Sequence, residues 1–202
     1  MFLNVNYVTQ LEFGQDNNQM DPTGCWYSSA CMVGYGFAAG PRLGVPALFS
    51  KNVSHKDGSA GTGHWALQHG WLPTFMSNEN LVTVDGGLPN SGKEIQTLLK
   101  KWGPMMVFWQ KTNSSGQTYG HASVLIGATA TNVIIHDPEN EPNTSIPLSE
   151  FYPKVQVFSA SWPLLRHNAA AMSFKGGIVE GRARSNAVTQ KGRSRSNAVT
   201  SR

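Results

Sequence analysis

The chain has 202 residues, enough for one well-packed core and too few for two comfortable ones. Hydrophobic residues make up 40% and charged residues 14%, with six Trp, nine Phe and five Tyr, which excludes a disordered polypeptide. The formal net charge of +4 does not mark a polyanion binder: seven of the sixteen Lys and Arg lie in 175–202 beside the single acid Glu180, leaving residues 1–174 with nine bases and eleven acids.

Nucleic acid is therefore not expected as a partner. The two cysteines, Cys25 and Cys31, are six residues apart, a rotation of about 600° on a helix that keeps the side chains from meeting. This excludes a disulfide scaffold, and no Cys/His quartet has zinc spacing. The opening "MFLNVNYVTQ" lacks a charged stretch followed by a long apolar one, and no 18-residue apolar run occurs. Neither a Sec signal nor a membrane span is expected, which leaves a cytoplasmic protein or one exported by a specialised secretion system.

In chain order, "FLNVNYV" (2–8) alternates like a strand, and "QLEFGQDNNQMDPTG" (10–24) is a polar connection rich in turn formers. "CWYSSACMVGYGFAA" places Cys25, Ser29, Met32 and Gly36 on one stripe and Trp26, Ala30, Val33 and Phe37 on another. That spacing predicts a helix of some fifteen residues with Asp21, Thr23 and Gly24 in capping positions. Between 41 and 80 only short helical pieces are expected, around "PALFSKN" and "GHWALQHG". "SGKEIQTLLKKWG" (91–103) predicts a helix opened by the capping box of Ser91 and Glu94 and stopped by Gly103.

Strands are expected at "PMMVFWQ" (104–110), "HASVLIGA" (121–128), "NVIIHD" (132–137) and "KVQVFSA" (154–160). Helices first and strands later make an α+β fold, with an N-terminal helix packed on a C-terminal antiparallel sheet. Residues 1–174 read as the folded domain. Residues 175–202, which contain "RSNAVT" twice, read as a basic, low-complexity, disordered tail.

A thiol at a helix start meets unpaired backbone N–H groups and the positive end of the helix dipole, both of which favour its anion. That makes Cys25 the candidate nucleophile, whereas Cys31, deeper in the same helix, reads as packing. A thiolate needs an imidazole partner and a group to orient it. His121 opens an apolar strand right after Gly120, and Asp137 closes the next strand, so an antiparallel hairpin makes them neighbours. Alternation puts His136 on the opposite face. Gln10, ending the first strand, can supply one oxyanion hydrogen bond and the Cys25 backbone N–H another, with Gln19 as a competitor for the side-chain role.

"LNVNYVTQ", "GCWYSSACMV", "GHASVLIGA" and "IIHDP", in this order, resemble the papain-like cysteine peptidases. The resemblance is nearest the bacterial branch that includes bacteriocin-leader peptidases and related effector proteases. It spans about residues 3–160 and implies nucleophile Cys25, base His121, orienting Asp137 and oxyanion donor Gln10. The fourteen residues between Gln10 and Cys25 exceed the family's usual spacing, which keeps Gln19 open.

Against these readings, Asp137 before Pro138 also suits a plain turn. His55, His64 and His69 lack acidic or Cys partners and read as surface or structural residues, not a metal cluster. The Trp and Met residues of "KKWGPMMVFW" read as core. The expected function is a cysteine peptidase with a protein or peptide substrate and no metal or organic cofactor, possible also as a bacterial effector or toxin domain. The same apparatus serves peptidoglycan amidases, deamidases and transglutaminases, and a binding module that lost activity is the non-enzymatic alternative.

Overall fold

The computed structural model describes residues 1–10, 23–54, 60–169 and 174–179. The elements run β1 (Phe2–Leu3), α1 (Cys25–Tyr35), β2 (Phe49–Ser54), β3 (Ala60–His64), α2 (Leu72–Asn78), β4 (Leu81–Thr83) and α3 (Gly92–Trp102). They continue with β5 (Met105–Thr112), β6 (Thr118–Ala128), β7 (Asn132–His136), β8 (Thr144–Pro147), α4 (Leu148–Gln156), β9 (Leu165–His167) and β10 (Ile178–Val179).

Eight strands form one antiparallel sheet in the order β10-β1-β6-β5-β9-β4, with β7 also on β6 and β8 on β7; β2 and β3 form a separate hairpin. This is the expected α+β architecture. Residues 121–128 of β6 are buried without a break. Successive strand side chains point to opposite faces, so both faces of the sheet are covered here. Helix α1 packs on β6 and β5, α3 on β6, and α4 on β5 and β7. Met105, Met106 and Val107 of β5 and Trp26, Met32 and Val33 of α1 are core; in "KKWGPMMVFW" Met105, Met106 and Trp109 are buried as expected, whereas Trp102 is only half-buried, under the Arg166 guanidinium.

Helix α3 follows its pattern closely: Ile95 and Leu99 are buried, and Gly103 stops it with φ 79° while donating its N–H to the Leu99 carbonyl. A residue with a Cβ resists that left-handed conformation. The capping box does not form, because Ser91 stands at the N-cap without a side-chain hydrogen bond. Helix α1 is shorter than expected, ending at Tyr35 before the Gly36 that follows.

Two strand expectations need correction. Only Phe2–Leu3 of residues 2–8 enters the sheet; the rest is held by hydrogen bonds to the turn after β7. The segment "KVQVFSA" is not a strand: Lys154–Gln156 complete α4 and turns follow. Leu148, Phe151 and Val155, three and then four residues apart, form the buried stripe of that helix, and this helical period outweighs the short Val-Gln-Val alternation. Around "PALFSKN" the chain makes a 3₁₀ turn at Pro46–Leu48 and then strand β2, and in "GHWALQHG" only His69 and the residues after it turn helical. Of the segment expected to be a free tail, Lys175 donates its N–H to the Gly36 carbonyl and Ile178–Val179 pair with β1; residues 180–202 lie outside the described residues.

Gly92, the first residue of α3, lies so close to the β6–β7 turn that a Cβ there would stand 1.9 Å from the Thr129 carbonyl oxygen. Backbone on both sides leaves little room to yield. Gly92→Ala is expected to destabilise the fold by about 2 kcal/mol, read as a lower denaturation midpoint at unchanged slope.

Candidate active site

Cys25 is the first residue of α1, half-buried at its mouth. The N-cap is Gly24, and no side chain caps the helix. Thr23, expected among the capping residues, turns its hydroxyl to the His64 carbonyl instead; Asp21 lies outside the described residues. No side-chain cap takes up the first-turn N–H groups, of which that of Tyr27 turns to the Gly24 carbonyl, and the helix start keeps its positive potential beside the sulfur. Cys31 is 3% exposed and burial pushes its thiol up to about 11, so it packs rather than reacts.

His121 sits opposite Trp109 in the β5–β6 ladder. The β6–β7 ladder ends at Val124 and His136, which delivers Asp137 one residue further, beside the β6 segment carrying His121. His121 Nε2 lies 2.7 Å from Asp137 Oδ1, with both residues about 97–98% buried by the 3% and 2% exposures of the pair. His121 and Cys25 line the same cavity, and Nδ1 is the ring nitrogen that Asp137 leaves unused. Burial disfavours the imidazolium, yet the hydrogen bond to Asp137 and then the neighbouring Cys25 side chain outweigh it and hold the His121 pKa up at about 9. For Asp137, burial works against the anion, but His121 and then Lys111 overcome it and bring the carboxyl down to about 2.

His136 faces the other way. Its Nδ1 accepts the Asn143 N–H at 3.1 Å, so Nε2 carries the proton given to the Val5 carbonyl at 2.9 Å. Burial lowers its pKa and keeps it a neutral structural ring.

Asp137 is also bonded by Lys111 Nζ (2.8 Å to Oδ2), the Glu139 N–H (3.0 Å to Oδ1) and Asn140 Nδ2 (3.1 Å to Oδ2). Lys111 pairs with Glu139 too, and Glu139 accepts the Tyr119 hydroxyl at 2.7 Å. His121, Asp137 and Glu139 have side-chain atoms within 4.8 Å of one another, a spacing that could suit a cation. The Lys111 ammonium already bonds both carboxylates, and His121 Nε2 is held by Asp137, so the donor set does not fit a metal. Lys111, Tyr119 and Glu139 were not singled out in the sequence. The first two stand in "KTNSSGQTYG", which reads as a connector but is partly strand, with Lys111 opposite Tyr119.

Gln10 is 5% exposed and donates its N–H to the Pro138 carbonyl at 2.9 Å, while Ser28 in the first turn of α1 bonds the Thr9 carbonyl. These bonds tie the end of the N-terminal segment both to the Asp137 turn and to the helix that begins with Cys25. Gln19 and His55 lie outside the described residues. His64 stacks on Tyr27 at 4.4 Å and His69 meets Trp162 edge-on.

Cys25 and His121 open into a cavity of about 440 Å³, lined also by Leu67, Phe108, Phe158 and Trp162. An apolar trough shared by a helix-start thiol and a carboxylate-held imidazole, on a helix packed against an antiparallel sheet, defines a papain-like cysteine peptidase. Residues 4–156 match the family described as papain-like cysteine protease AvrRpt2, and the chain belongs to that family. The fold is also similar to the crystal structure of a protein described as a C39-like peptidase from Bacillus anthracis. The TM-score is 0.50 at 16% identity, with 84% of this chain and 98% of that one covered. Family membership implies a protein substrate. Among the described residues no helix is long and apolar enough to cross a membrane.

The raised His121 value and the depressed Asp137 value place the pair's stabilisation in a definite pH window. The His121 contribution is complete below about 6.5 and is lost as pH rises through about 9; that of Asp137 is complete above about 3.8 and is lost as pH falls through about 2. Asp137→Asn should therefore cost most between these inner limits, on the order of 3 kcal/mol for breaking a buried pair. Denaturant unfolding of both proteins across pH should show the difference shrinking towards either extreme.

Proposed function

We propose that this protein hydrolyses peptide bonds through Cys25, His121 and Asp137, with Gln10 as oxyanion donor. The observation that carries the reading is the buried hydrogen bond from the His121 ring to Asp137, with Cys25 and His121 both lining one open apolar cavity. The uncapped start of α1 sets the positive end of the helix dipole beside the sulfur.

The thiolate attacks the scissile carbonyl carbon, and the electron pair moves onto the oxygen. The Cys25 backbone N–H and the Gln10 side-chain amide stabilise that oxyanion. As the tetrahedral intermediate collapses, His121 gives its proton to the departing amine nitrogen and the C–N bond breaks, leaving a thioester. Water then loses a proton to His121 and attacks the thioester carbon; collapse expels the sulfur and regenerates the ion pair. Asp137 keeps the ring oriented and its charge balanced throughout.

The finer assignment, a bacterial effector or toxin protease acting on proteins of another cell, rests on the family's description and on the sequence resemblance. Cells of a susceptible host or competitor that express the wild type, but not Cys25→Ala, should lose one or a few proteins in a comparison of their proteomes.

Cys25→Ala should abolish turnover of a peptide and muropeptide pool followed by mass spectrometry while leaving the unfolding midpoint nearly unchanged. Retained activity would remove Cys25 from the mechanism, and deamidated or cross-linked products would replace the peptidase with another acyl transferase. Iodoacetamide should label Cys25 rapidly below neutral pH. Gln10→Ala should lower kcat about 10²–10³-fold, the usual effect of removing one oxyanion donor. The alkaline limb of kcat/KM should fall near pH 9, where His121 gives up its proton.

A further inference from the structure

Two charged side chains beside the site have no part in the chemistry above. Lys111 Nζ bonds Asp137 Oδ2 at 2.8 Å and also bonds Glu139, with only 11% of its side chain exposed. Glu139 in turn accepts the Tyr119 hydroxyl, and Tyr119 lines the same cavity as Cys25. A lysine this well buried loses hydration and side-chain entropy, and an ordinary surface ion pair recovers little of either. Its position is also specific: it takes the carboxylate oxygen that His121 does not use.

We propose that Lys111 and Glu139 form a charge clamp on Asp137, positioning residues that fix its carboxylate for His121 and set how firmly His121 holds its proton. The inference rests on the reading of His121 as base and Asp137 as its orienter. The geometry supplies two separate effects. Lys111 and Asn140 anchor Oδ2 while the Glu139 N–H and His121 share Oδ1, so the carboxylate cannot swing away from the ring. The charges act in opposite senses on the imidazolium: the Lys111 cation disfavours it, and the Glu139 anion favours it. Burial opposes ionisation of both carboxyls; Lys111 is then the first group to lower that of Glu139, and His121 followed by Lys111 lowers that of Asp137.

The groups facing His121 are Cys25 from α1, Tyr119 on its own strand, and Asp137 with Glu139 from the turn after β7; Lys111 of β5 faces the two carboxylates. Tyr7 donates its hydroxyl to the Asp137 carbonyl, and burial holds that hydroxyl up at about 12, so it stays neutral over the range concerned.

The test is the pH profile of kcat/KM for Lys111→Met, Glu139→Gln and the double variant. Removing the cation should move the alkaline limb up by about 0.5–1 pH unit, and removing the anion should move it down by a similar amount. The double variant, with net charge restored, should return towards the wild type. Lys111→Met should also lower kcat more than it raises KM, because the carboxylate loses an anchor that matters to proton transfer and not to substrate binding.

A packing role would lower stability without shifting the limbs in opposite directions, and coincident alkaline limbs for all variants would overturn the clamp. Should Lys111→Met fail to fold, Lys111→Arg and Glu139→Gln carry the test: the first must keep the limb, the second must lower it. The Cys25→Ala control separates the two levels of argument. If that variant stays active, the thiol mechanism itself fails; if it is dead while the limbs do not move, the clamp alone fails.

Discussion

The hydrogen bond between His121 and Asp137 is the constraint on which most of this structure turns. Neither group could be buried alone, since an unpaired carboxylate or imidazolium in the interior is costly. The pair becomes tolerable because every lone-pair direction of Asp137 that the structure uses meets a donor from a different source: strand β6, strand β5, and two from its own turn. The N-terminal segment is drawn into the same knot. Tyr7 donates to the Asp137 carbonyl, and Thr9 and Gln10 both donate to that of Pro138. One buried ion pair therefore fixes the register of β6 against β7 and the path of residues 7–10.

The other half of the site follows the opposite rule. At the start of α1 it is a missing interaction that matters: without a side-chain cap the helix forgoes about 1 kcal/mol, and the positive end of its dipole stays open beside the sulfur. Thr23 bonds the β3 end instead, and Trp26 donates to the Trp65 carbonyl, so the helix is held by its flanks while its mouth stays free. The apolar walls beside it limit water, which strengthens each hydrogen bond inside. Stability is thus spent at the helix start and recovered in the core, where Trp26 is 1% exposed.

What the sequence made legible divides along the range of the interactions. Helix α3 and the strands at 105–128 could be read because period, stop signal and burial agree locally. The His121 and Asp137 juxtaposition was accessible because a short hairpin turns sequence spacing into spatial spacing. Lys111 was not accessible, since its partner lies 26 residues away and its relevance depends on β5 and β6 extending into a polar stretch that reads as loop. The β9 and β4 strands were missed for a related reason: three residues each carry too little pattern, and they are strands because β9 pairs with β5 and β4 with β9. Segment 154–160 failed in the reverse direction, where a two-residue alternation hid the end of an amphipathic helix.

The glycine of the Gly-His pair shows how a sequence signature can have a spatial cause. Gly120 has no left-handed backbone to justify it, as its φ is not among the positive ones. It lies in the cavity wall between Tyr119 and His121, and a Cβ there would already stand 3.4 Å from the Phe158 ring. A methyl would just touch Phe158; any longer side chain would have to displace that ring or project into the cavity next to the thiol. What the position excludes is therefore volume rather than a backbone conformation. The requirement comes from across the cavity, from a turn after α4 that lies nearly forty residues further along the chain.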